Sequence, residues 1–178
     1  MRALFCAVLL AASGDGPRTF DLGEGTLTYT VVHKLHEVKG TSHAVEGRAQ
    51  VQADGRLRVQ VRAKIASFDS GNSNRDEHVR EVTRDSAHPY VQLKGSAAGV
   101  SLAAPSDVTL DGTVELNGVQ KPQQLKVHLE PAGGSVRAKF SFAISLDAFK
   151  VERPELLFVK VEDKALIDGD LVFAEAQK

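Results

Sequence analysis

Arg75, Asp76 and His78 stand close together in the segment Ser67–Val79, with Arg80 just beyond. Guanidinium and imidazole groups at this spacing can offer charge-assisted donors to a phosphate or pyrophosphate head. They also have a plainer use, in which Arg75 and Asp76 pin a turn and a helix to neighbouring strands and the rest is solvated. Asp69 and Asn72 read as turn residues, because such side chains satisfy nearby backbone groups. Of the six histidines, His33 and His36 would fall on opposite faces of a regular strand. His43, His78, His88 and His128 show no tight ligand spacing. Nucleophilic catalysis needs a nucleophile beside a base. The chain has Ser13-Gly14 and Ser70-Gly71 but no G-x-S-x-G elbow. Glu152, Glu155, Glu162 and Asp163 read as a wet loop and strand edge. These residues point to binding, with no catalytic residue, no metal and no cofactor.

The elements around this segment are strands. Leu57, Val59, Val61, Ala63 and Ile65 alternate with Arg56, Arg58, Gln60, Arg62 and Lys64, the period-two pattern of a strand with one dry face. Gly71-Asn72 breaks it, and Ser73 with Asp76 can open a short helix as a capping-box-like pair, predicted over Asn74 to Thr83. Alternation recurs at Thr26 to Val31, Val45 to Ala53, Tyr90 to Lys94, Val108 to Leu116, Leu125 to Leu129, Val136 to Asp147, Phe158 to Val161 and Ile167 to Ala174. Asp54-Gly55 and Asn117-Gly118 mark short hairpin turns. The near-continuous apolar runs of a parallel sheet are absent. The pattern predicts one all-β domain of about eight strands with one short helix. Periodicity alone leaves a closed barrel and a two-sheet sandwich both open.

Composition bounds the partners. With 22 Lys and Arg against 23 Asp and Glu, no bulk charge attracts nucleic acid or an anionic membrane. Met1 to Ser13 reads as a secretory signal: Arg2, an apolar Ala3 to Leu10, then Ala11-Ala12-Ser13. Its apolar run is far short of the ~20 residues needed to span a bilayer. Cleavage there would remove Cys6, the only cysteine. Residues 14–178 would then form a cysteine-free domain suited to a bacterial periplasm or to secretion.

The segments so described resemble the YceI-like family of polyisoprenoid-binding proteins, from about Leu27 to Val172. The most specific match is Ser67-x-Asp69-Ser70-Gly71-Asn72-x-x-Arg75-Asp76-x-His78-Val79. His88-Pro89-Tyr90, Asp111 to Pro122 and the Val31 to Gly47 stretch support it. The resemblance implies a single antiparallel, eight-stranded, lipocalin-like barrel, often exported, holding a long amphiphile in its lumen. The partner expected is an isoprenoid or similar long-chain lipid, with no nucleic acid and no integral membrane span, and with a homodimer compatible.

On this reading the inward stripe carries the function. Gly47, Ala49, Ala63 and Ala138 are small, whereas Phe68, Phe140, Phe142 and Phe158 are large. Small residues facing a lumen leave volume; alternatively, small and large simply interlock as an ordinary core. Burying about ten methylenes at ~0.8 kcal/mol each gives about 8 kcal/mol gross, which approaches micromolar binding before ordering costs. Tyr29, Val59, Val61, Phe68, Phe140 and Phe142 are the expected lining, with Arg75 and His78 as head-group candidates. The alternative is a periplasmic or surface protein-interaction module built on a solidly packed barrel.

Overall fold

The computed structural model describes residues 16–33, 36–153, 155–156 and 159–177. The segment read as a leader, with Cys6, lies outside the described residues, as does Phe158. Alternating sequence becomes strand in β1 (Arg18–His33), β2 (His36–Ser42), β3 (Val45–Val51), β4 (Leu57–Lys64), β5 (Tyr90–Ala97), β6 (Ser106–Leu116), β7 (Val119–Ala132), β8 (Ser135–Ser145), the short β9 (Glu155–Leu156) and β10 (Val159–Lys160), and β11 (Lys164–Glu175). In β4 the alternation is literal: Leu57, Val61 and Ala63 are buried, while Arg58, Gln60, Arg62 and Lys64 are exposed.

All named pairings are antiparallel, in the order β11-β8-β7-β6-β5-β4-β3-β1, and β11 returns to pair with β1. That last pairing, running from Phe20↔Glu175 to Val31↔Ala165, closes the sheet into a barrel. β2 and β3 lie in succession along β1 and act as one broken stave, so eight staves close the ring. The sandwich left open by periodicity is thereby excluded. Among the described residues β2 pairs along β1, and on its other side only the isolated Thr41–Asp69 bridge is made.

Two local expectations are corrected. The helix α1 spans Ser73–Val82, but its cap is Asn72, whose side-chain oxygen accepts from the Arg75 backbone N–H. Asp76 instead accepts from the backbone N–H and hydroxyl of Ser70, so it braces the turn rather than completing a capping box. Asp54-Gly55 does join β3 to β4 as a hairpin, but over a loop wider than the dipeptide. The β3–β4 loop runs over residues 52–56, with Gly55 N–H donating to the Gln52 carbonyl. The Asn117-Gly118 turn does take the two-residue form, with φ of 54° and 71°. Both positions are left-handed, as a tight twisted hairpin requires.

Antiparallel topology sorts the connections to two ends. The 52–56, 98–105 and 133–134 connections lie at one end, toward which Phe20, Leu171 and Phe173 are buried. The opposite end carries α1, the Asn117-Gly118 turn and the 146–163 connection.

Candidate functional site

Inward positions of the staves enclose two hollows. The larger, of about 170 Å³, lies toward the α1 end; the smaller, of about 60 Å³, lies toward the opposite end. Val61, Leu93 and Phe140 line both, so they form the partition between the two. Gly169, which sits between Leu27 and Phe140 across the ladder, makes room for the Phe140 ring of this partition. A side chain at 169 would overlap the Phe140 ring. Phe140 and Phe142 stand 6.0 Å apart, centroid to centroid, along β8.

The residues expected to line the lumen divide between the hollows. Tyr29, Phe68 and Phe142 line the larger, Val59 the smaller, and Val61 and Phe140 both. Ala49 and Ala138 border the smaller hollow. Of the head-group candidates, His78 lines the larger hollow and Arg75 lines neither. Strand alternation does not reach the helix residues of the lining: Val79 and Val82 of α1, with Thr83, also face the larger hollow. Valines three apart on a helix share a face, a signal present in the sequence.

The polar segment before and within α1 mostly holds this lid in place. Ser67 Oγ lies 2.7 Å from the hydroxyl of buried Ser42, and Asp69 exchanges backbone hydrogen bonds with Thr41. Phe68, between these two anchors, is thereby turned against Tyr29, with centroids 5.6 Å apart. Asp69 Oδ1 accepts from Gly71 N–H at 2.7 Å. Arg75 directs Nε to Ser70 Oγ (2.8 Å) and Nη2 to the Ser70 carbonyl (2.6 Å). His78 remains half exposed, 3.6 Å from Glu81.

A second knot lies at Asn117, which is 1 % exposed. Its amide donates to the carbonyls of Phe149 (3.1 Å) and Lys150 (2.9 Å). Its Oδ1 and main-chain oxygen accept from Arg84 at 2.6 and 2.9 Å. The β6–β7 turn is thus tied to the chain after α1 and to the 147–150 turn. Asp163 also has a structural part, accepting from the backbone N–H of Asp147 and the Ser145 hydroxyl. These bonds hold its carboxyl below the usual range.

One polar group in the lining stands apart. The Tyr29 hydroxyl is buried and has no hydrogen-bond partner. Burial, reinforced by the negative charge of Asp76, pushes its pKa up to about 12, so the hydroxyl keeps its proton. Among the described residues no group of His, Cys, Asp and Glu is arranged to hold a metal ion. No helix of the described residues is long and apolar enough to cross a membrane.

The fold is a closed antiparallel barrel, lidded by a helix at one end and hollow within. The chain belongs to the YceI-like domain family, whose model matches residues 19–173. Among curated relatives, a UPF0312 protein of Shewanella baltica is 28% identical over 88 residues, covering 47% of this chain and 46% of the relative. A UPF0312 protein of Shewanella oneidensis is 27% identical over 89 residues, 48% and 47% respectively. The chain therefore spans about half the length of the curated relatives it matches. Solved structures share the fold at lower identity. A polyisoprenoid binding domain from Saccharophagus degradans superposes with a TM-score of 0.72 at 12% identity, over 88% of this chain and 98% of that one. BcnA of Burkholderia cenocepacia gives 0.70 at 16%, over 83% and 95%. A Campylobacter jejuni YCEI protein gives 0.56 at 15%, over 100% and 94%.

Proposed function

We propose that this protein binds the hydrocarbon chain of an isoprenoid or similar lipid in the barrel lumen and carries or sequesters it without transforming it. The observation that carries this reading is the apolar hollow on the lidded side. An apolar cavity of ~150 Å³ stays dry and takes up benzene or xenon, and the hollow here is about 170 Å³. That is room for a short prenyl segment in the conformation described. A longer chain reaches the smaller hollow when Phe140 swings from the partition. The family and the named ligand class of the Saccharophagus neighbour support an isoprenoid as the guest.

A solidly packed interaction module would show a filled lumen and an exposed apolar patch. Among the described residues Leu166, at 37 % exposed, is the large apolar side chain that faces solvent, and it does not make a patch. Export to the periplasm or medium rests on the Met1 to Ser13 pattern. Sequencing the amino terminus of the secreted protein tests it, with a start near residue 14 expected.

The direct test is extraction of the purified protein followed by mass spectrometry, with binding of added prenyl compounds as the second arm. Recovery of a prenyl or long-chain lipid supports the reading. An empty extract together with no uptake of added prenyl alcohol overturns it.

A further inference from the structure

We propose that the Tyr29 hydroxyl is the polar recognition point of the lumen, donating a hydrogen bond to an uncharged oxygen acceptor on the ligand. The acceptor class is a carbonyl, ester or ether oxygen rather than a carboxylate or phosphate. This rests on the lipid-binding reading above and specifies its ligand.

Tyr29 lines the larger hollow from β1, and its ring lies over Gly40 of β2, where a side chain would overlap the ring edge and hydroxyl. Phe68 packs against it, tilted, with ring centroids 5.6 Å apart. The ring is therefore held by packing rather than by any bond of its hydroxyl, which is buried with no partner. Buried hydroxyls are normally hydrogen-bonded, and one left alone loses its water without replacement. A guest that brings an acceptor to this point removes that penalty, whereas a bare hydrocarbon does not.

The surrounding charges decide which acceptor. Asp76 and Arg75 act on the Tyr29 hydroxyl with opposite signs, the negative charge the larger of the two, so the pair offers no net cation to an anionic head there. Arg75, the cation in the same place, points two of its guanidinium nitrogens at Ser70. His78 is half exposed and beside Glu81. The hydroxyl also remains protonated at any physiological pH and so acts as a donor. A neutral oxygen fits all four groups.

The test uses three probes of one chain length: geranyl acetate, geranyl phosphate and the hydrocarbon myrcene, each displacing a fluorescent fatty reporter from the whole protein. The wild type is expected to prefer the acetate over both others, and Tyr29→Phe to reduce the acetate-to-myrcene preference about tenfold. Equal binding of all three, a preference for the phosphate, or an acetate preference surviving in Tyr29→Phe overturns the inference while leaving the lumen reading standing. Failure of every probe, myrcene included, overturns both. Infrared spectroscopy needs no variant: the ester carbonyl stretch of bound geranyl acetate should fall below its value in hexane. An unshifted stretch contradicts the bond.

Discussion

Phe140 and Gly169 are directly opposed across the β8–β11 ladder, and the Phe140 ring fills the space a side chain at 169 would need. This pair sets the partition between the two hollows. Phe140→Ala should join them and let a longer prenyl chain bind, shifting the preferred chain length upward in a displacement series. The variant should lose about 3 kcal/mol of stability, the low end for a core phenylalanine, because the ring already borders empty space. Denaturant unfolding with and without ligand measures both effects.

Asn117 should be a stability hot spot beside the lining but not part of it. Asn117→Ala removes the donor to the Phe149 and Lys150 carbonyls and the acceptor for Arg84, and it leaves alanine at a φ of 54°. A loss of about 3 kcal/mol is expected from unsatisfied buried groups and backbone strain together. Asn117→Gly should recover about 1 kcal/mol of that, since glycine accepts the left-handed backbone without restoring the bonds. Equal losses in the two variants would show that strain has no part.

The helix cap gives a paired prediction. Asn72→Ala should cost about 1 kcal/mol because it removes the acceptor for the Arg75 N–H. Ser73→Ala should change stability by less than about 0.5 kcal/mol, as an exposed first-turn residue without a capping bond. Thermal unfolding compares them, and the reverse ranking would contradict the assigned cap.

High pH should weaken the fold through Tyr29. Its folded-state pKa is raised from 10 to about 12 by burial and by Asp76. The folded state therefore holds the proton more tightly than the unfolded chain. This contribution is complete below about pH 10 and is lost as pH rises through about 12. Wild-type stability should fall across that window more steeply than that of Tyr29→Phe. Parallel pH profiles would show that the hydroxyl is hydrated rather than buried.

The sequence made the staves legible because one dry face imposes a two-residue period, as in Leu57 to Lys64. It left closure open, since the same period serves a sandwich. What decides the matter is the pairing of Phe20 to Val31 with Ala165 to Glu175 at opposite ends of the chain. The cap was misplaced by one residue because Asn72 and Ser73 are both good capping types. Only backbone geometry, with Asn72 extended at φ −146°, separates them. Asp54-Gly55 marked the β3–β4 hairpin but not its loop length, because the Gln52–Arg56 backbone bond closes a wider loop than the dipeptide. At the site, the aromatic and aliphatic lining was readable from alternation. The engagement of Arg75 by Ser70 and the solitude of the Tyr29 hydroxyl depend on three-dimensional neighbours that no spacing rule encodes.

The central claim is that the lumen is a dry hollow filled by a hydrocarbon guest. A crystal structure of the protein grown with farnesol tests it most directly. The chain should lie inside the barrel between Tyr29 and Phe140, with the Phe140 ring displaced toward or past the partition. A lumen whose side chains interlock, with farnesol absent or bound only on the outer surface, would contradict it.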